Sequence, residues 1–115
     1  MDKCYYLKTC STCQRILKEW DLNENVVLQN IKTEQMTPQQ VDEMISLAGS
    51  AEALFSRKAM KYRAMGLNEK SLTEKDYRQL IIDEYTFLKR PVLILGDQIF
   101  IGNSKTVVAG AKAAL

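Results

Sequence analysis

The hydrophobic period of this chain switches from strand-like to helical around residues 9–11, and two cysteines stand at the switch. The run Cys4-Tyr5-Tyr6-Leu7-Lys8 is rich in strand formers, Thr9 can end it, and Ile16, Leu17 and Trp20 then recur at helical spacing. Cys10-Ser11-Thr12-Cys13 therefore occupies a strand-to-helix junction. Unpaired N–H groups and the positive end of the helix dipole stabilise a thiolate there, so a cysteine at that point is more acidic and more nucleophilic than a free one. Cys10 lies nearer the helix start and is expected to be the more acidic of the pair. The chain has no His, and the motif holds no paired carboxylates to act as a base. Activation falls to the dipole and to nearby Arg or Lys. Two other readings of the pair stand beside this one. Zinc normally takes four ligands, which three Cys and no His do not supply, so no metal is expected. Inert burial is the other reading, since free Cys is commonly a core residue.

The first helix is expected to end within residues 22–25, and Val26-Val27-Leu28-Gln29-Asn30-Ile31 reads as a second strand. Strand, helix, strand at this length is a βαβ unit with parallel strands and a right-handed crossover. A Cys-x-x-Cys beside such a unit reads as a redox site. Thr37 then caps a helix, with Pro38 at its first position, Gln40 able to close a capping box, and Gly49 ending it. Residues 50–67 read as one or two short helices anchored by Leu54 and Phe55, with Gly66 as a terminal cap. Thr73 caps another helix with an inward face of Tyr77, Leu80, Ile81 and Tyr85. Val92-Leu93-Ile94-Leu95, Gly96-Asp97 and Gln98-Ile99-Phe100-Ile101 form a hairpin signal. A closing helix from Ser104 is apolar at Val107, Val108, Ala111 and Leu115. The order βαβ, three or four helices, ββα predicts an α/β fold. Its sheet is four-stranded and mixed, with a helical insertion between the halves.

At 115 residues the chain is expected to form a single domain, residues 1–115, with a hydrophobic core that needs no disulfide staples. Its net charge of +2 is small and its Lys and Arg are interleaved with Asp and Glu, which argues against direct nucleic-acid binding. The N-terminus lacks the apolar core of a signal peptide, and no apolar run approaches membrane-spanning length. A cytoplasmic location is expected. In that reducing compartment a Cys-x-x-Cys is catalytic or redox-sensing more often than structural. Cys4, inside the first strand, is expected to be a buried core residue.

Three stretches carry a resemblance to one family. Tyr6-Leu7-Lys8-Thr9-Cys10-Ser11-Thr12-Cys13-Gln14-Arg15 is similar to a strand followed by a nucleophilic Cys at a helix start. Leu54-Phe55-Ser56-Arg57-Lys58-Ala59-Met60-Lys61-Tyr62-Arg63-Ala64-Met65-Gly66-Leu67 resembles an "L-F … Y-R-x-x-G-L" segment, and Phe87-Leu88-Lys89-Arg90-Pro91-Val92-Leu93 looks like an Arg-Pro entry to the third strand. Together they resemble the arsenate reductase (ArsC) and Spx-like branch of the thioredoxin superfamily, across nearly the whole chain. The resemblance implies a thioredoxin-like fold, Cys10 as nucleophile, and Arg90 pointing into the site to stabilise a thiolate or an oxyanion. It implies a cis bond before Pro91, and places Ser11, Thr12 and Pro91 at the substrate. Arg57 or Lys58 aligns with a basic position near the same pocket. The plain alternative is that Arg57, Lys58, Lys61 and Arg63 form a solvated helix face. Cys13 matches the second Cys of the Spx-like members, where glutathione- or glutaredoxin-coupled arsenate reductases generally have Ser.

The implied activity is that of a thiol oxidoreductase. Cys10 attacks a disulfide, a glutathione mixed disulfide or an oxyanion, and Cys13 resolves the adduct. No metal or organic cofactor is called for; glutathione, or a partner of the glutaredoxin or thioredoxin type, would serve as co-substrate. Two departures from the family bear on substrate. Gln14 stands where an Arg is common, and Ile101-Gly102-Asn103-Ser104 stands where glutaredoxin-coupled arsenate reductases carry another Arg. An arsenate dianion would meet fewer bidentate guanidinium partners. The alternative function is a redox-sensing transcription regulator like Spx that binds RNA polymerase. Against it, the sequence ends at Leu115 without the charged extension such regulators carry. A third reading is a binding module with incidental cysteines.

Overall fold

The sheet forms around the first strand. A computed structural model describes residues 2–115. Strand β1 (Lys3–Tyr6) lies between β2 (Val27–Asn30), to which it is parallel, and β3 (Val92–Leu95), to which it is antiparallel. β4 (Gln98–Ile101) completes the order β2-β1-β3-β4 through an antiparallel hairpin in which Val92 pairs with Ile101 and Leu95 with Gln98. Gly96 makes the hairpin turn at φ 63°, a left-handed conformation that glycine adopts without a Cβ penalty. This is the mixed four-stranded sheet of the thioredoxin-like fold.

The chain divides into two compact units. The first holds the residues up to Gln35 together with Arg90–Leu115, and so the whole sheet with helices α1 (Ser11–Trp20) and α5 (Lys105–Ala114). Its core gathers Cys4, Ile16, Trp20, Val26, Leu93, Val108 and Ala111. Trp20 is almost fully buried, and its indole Nε1 donates to the Val108 carbonyl at 3.1 Å, which ties the end of α1 to α5. α1 stops at Asp21, in the left-handed conformation at φ 50°, a few residues before the expected end. β1 stops at Tyr6 rather than Lys8, because the Cys10 N–H donates to the Leu7 carbonyl at 3.0 Å and turns the chain. Leu115, expected on the apolar face of the last helix, is exposed.

The second unit, Met36–Lys89, is the helical insertion. Helix α2 (Pro38–Ala48) starts with the expected reciprocal capping box between Thr37 and Gln40 and ends at Gly49, φ 93°. A 3-10 turn (Glu52–Leu54), the short helix α3 (Met60–Ala64) and a second 3-10 turn (Leu67–Glu69) occupy the region read as one or two helices. Helix α4 (Glu74–Asp83) is capped by Thr73, and buries Tyr77 and Ile81. Tyr85 belongs instead to a third 3-10 turn, Tyr85–Phe87. Phe55 centres the unit, stacked on Phe87 at 5.0 Å between ring centroids and tilted against Tyr77 at 4.9 Å. Among the described residues no helix is long and apolar enough to cross a membrane.

Candidate active site

Cys10 is the N-cap of α1, with extended backbone (φ −88°, ψ 116°). Its carbonyl already accepts the Gln14 N–H at 3.0 Å, while its side chain lies outside the first turn, where helix N–H groups have no intrahelical acceptor. The first turn of α1 carries no acidic side chain to oppose a negative charge there. The neutral thiol makes no capping bond, but the N–H groups of Cys13 and Thr12 face the sulfur and favour its charged form.

The two thiols of the motif are driven apart in acidity. Partial burial, the largest influence on Cys10, raises its thiol. The Cys13 N–H and thiol, the Thr12 N–H and the Arg90 charge together outweigh it and hold Cys10 below the ordinary range. Cys13, fully buried one helical turn on, is pushed up to about 11, chiefly by burial and then by the neighbouring Cys10, against opposing pulls from the Leu7 backbone and Arg90. The Cys10 and Cys13 thiols lie close enough to act on one another, and neither is in a disulfide. Cys4, in the middle of β1, is completely buried as expected, and its thiol is pushed up to about 12 by burial and by Cys13. Of the three thiols Cys10 is thus the most readily ionised, and a thiol held in its neutral form stands beside it.

The first unit brings six of the sequence-derived residues to this neighbourhood or to the strand entry beside it: Cys10, exposed Ser11, half-buried Thr12, Cys13, Arg90 and Pro91. Arg90 acts electrostatically on both thiols. The Arg90-Pro91 bond is cis, Pro91 is buried, and its carbonyl accepts the Gly102 N–H at 3.0 Å. Arg57 and Lys58 belong to the second unit. There the Arg57 guanidinium is bound by the Glu52 carboxylate at 2.6 Å and the Tyr77 hydroxyl at 2.9 Å and lies over the Tyr77 ring, while Lys58 is exposed. These partners raise the Arg57 pKa, Glu52 most of all.

Two contacts of the site are not legible in the sequence. The Gln14 side chain donates to the Lys8 carbonyl, and the Lys8 N–H donates to Asn30 Oδ1 at 3.3 Å from the end of β2. Neither makes a periodic or capping signal; Gln14 is marked in the sequence only by the Arg it replaces. Among the described residues no group of three or more His, Cys, Asp or Glu could hold a metal ion.

Solved structures with this architecture are numerous. An arsenate reductase from Vibrio cholerae superposes with a TM-score of 0.78 at 14% identity, over 96% of each chain. A protein of Staphylococcus aureus COL, solved by solution NMR, does so with a TM-score of 0.73 at 25% identity, over 96% of this chain and 97% of that one. An arsenate reductase (ArsC) related protein from Brucella melitensis gives a TM-score of 0.70 at 19% identity, over 91% and 88%. No curated protein sequence matches the chain. The model of the ArsC family matches residues 5–110, a span that runs from β1 through the cysteine junction and the helical insertion into α5. With the cysteine pair at the helix start and the Arg-Pro strand entry both inside that match, the chain belongs to the ArsC family.

Proposed function

We infer that the protein is a thiol–disulfide oxidoreductase with Cys10 as nucleophile and Cys13 as resolving thiol. The observation that carries this reading is the asymmetry of the two neighbouring thiols at the helix start, Cys10 held low and Cys13 held at about 11. Cys10 thiolate attacks one sulfur of a substrate disulfide, forms a mixed disulfide and expels the other half as a thiolate. Cys13 then gives up its proton and attacks Cys10 Sγ, which forms the intramolecular disulfide and releases the second half as a thiolate. The two electrons that reduce the substrate come from the two protein thiols. Cys13 attacks poorly until it ionises, so the mixed disulfide persists long enough to be a true intermediate. An external dithiol or two molecules of a monothiol restore the reduced form; glutathione or a small redoxin suits this role, and a reducing cytoplasm suits the enzyme.

Substrate choice follows from the cations. A disulfide needs one positive group to steady the attacking and leaving thiolates, and Arg90 supplies it. An arsenate dianion is recognised best by several guanidinium groups. Arg57 is already bound to Glu52 and Tyr77, and positions 101–104 carry no Arg. Disulfides, including glutathione mixed disulfides, are therefore the preferred class, with arsenate the second substrate to compare. The test is a reduction assay with a glutathionylated peptide and with arsenate, in wild type, Cys10→Ser and Cys13→Ser. Turnover of the mixed disulfide that Cys10→Ser abolishes supports the reading. Turnover of arsenate alone, or activity that survives Cys10→Ser, would overturn it.

A further inference from the structure

The connection from β1 to α1 is four residues long, 7–10, and Cys10 is its last residue. A loop this short still has freedom at its exposed tip, Lys8 and Thr9, and that freedom would reach Cys10 directly. The backbone is tied down on each side of the tip. Asn30 Oδ1 accepts the Lys8 N–H, and Cys10 N–H closes the turn on Leu7. The remaining carbonyls on either side of Thr9 are both engaged by one residue. Gln14 donates its side-chain N–H to the Lys8 carbonyl and its backbone N–H to the Cys10 carbonyl. Its partners bracket Cys10 along the chain. The backbone torsions of Cys10 help decide whether Sγ sits over the Thr12 and Cys13 N–H groups, and a residue that holds the Lys8 carbonyl before the tip and the Cys10 carbonyl after it steadies that placement.

We propose that Gln14 is a positioning residue for the Cys10 nucleophile, acting through the N–H its carboxamide donates to the Lys8 carbonyl. The role needs a donor and not an amide as such. An Arg, which donates from a guanidinium, can fill it as well. The inference rests on the reading of Cys10 as the nucleophile, and the two can fail separately.

The test is the rate of Cys10 alkylation by iodoacetamide from pH 5 to 10 in the full chain, with the modified residue identified by mass spectrometry. Wild type is compared with Gln14→Leu, which cannot donate, and Gln14→Arg, which can. Gln14 is exposed, so neither variant disturbs the core, and the thermal midpoint is recorded alongside. Gln14→Leu is expected to slow alkylation at pH 7 by about three- to tenfold, the equivalent of one net hydrogen bond, and to move the profile to higher pH with its alkaline plateau unchanged. Gln14→Arg is expected to react at the wild-type rate or faster. A Leu profile that coincides with wild type overturns the proposal, and so does a loss that is equal at every pH or shared by both variants. If wild-type Cys10 itself titrates as an ordinary thiol, it is the proposed function that fails.

Discussion

Cys4 makes the stability of this protein depend on alkaline pH in a way that can be calculated. Its thiol has an ordinary value of 9.0 in the unfolded chain and about 12 in the folded one, because it is buried in the middle of β1 with Cys13 behind it. A folded pKa above the unfolded one means that the contribution of Cys4 is complete below pH 9 and is lost as pH rises toward 12. Within that window the unfolded chain has released a proton that the native chain still holds, and each pH unit removes about 1.4 kcal/mol. From pH 8 the loss amounts to about 1.4 kcal/mol at pH 10 and about 2.6 kcal/mol at pH 11. Cys4→Val removes the titrating group and leaves a strand-forming apolar side chain in its place. Urea unfolding of both proteins in reductant at pH 8, 9, 10 and 11 gives the stability of each, and the difference in slope isolates Cys4, because every other ionisable group is present in both. The level of the variant does not matter; the pH dependence does. Stability curves that run parallel from pH 8 to 11 would refute the argument that burial keeps this thiol neutral. The same neutrality is the reason Cys4 is expected to stay out of the redox chemistry.

Four further outcomes are expected. Arg90→Ala should move the pH profile of Cys10 alkylation upward, because it removes a positive charge that acts on the thiolate; rapid-mixing alkylation checks this, and an unmoved profile contradicts it. Cys13→Ser should stop the reaction at the mixed disulfide on Cys10, which intact-mass spectrometry detects as a stable adduct, whereas mildly oxidised wild type should hold Cys10 bonded to Cys13 with Cys4 still alkylatable after unfolding. Trp20→Phe keeps much of the packing but leaves the Val108 carbonyl without its indole donor, at a loss of about 1–2 kcal/mol in urea unfolding. Thr37→Ala removes the capping box of α2 and should lower stability by about 1 kcal/mol, measured the same way.

Where the deciding forces act over a few residues, the sequence alone was enough. The Gly96-Asp97 turn sets the hairpin, and its strands run over the two apolar runs that flank it. Thr37 with Gln40, Thr73 before α4 and Ser104 before α5 announce their helices because a cap bonds only three residues away. The cysteine junction belongs to the same class: a strand that ends, a helix that starts and a thiol between them imply an activated Cys10 from local chemistry. Other features depend on what the chain meets after it folds. β1 runs only to Tyr6 because a turn between Leu7 and Cys10 competes with the strand, although Leu7 and Lys8 continue its composition. Arg57 reads in the sequence as a basic position near the pocket or as part of a solvated helix face, but it is bound by Tyr77, twenty residues on, through a contact that no periodicity encodes. Trp20 and Val108 are 88 residues apart. Likewise, the elevated thiols of Cys13 and Cys4 follow from burial between sheet and helix, and burial is a property of the packed chain. Local hydrogen bonding thus made the lowered thiol of Cys10 legible in the sequence, whereas its contrast with the neutral thiols around it came only from tertiary desolvation.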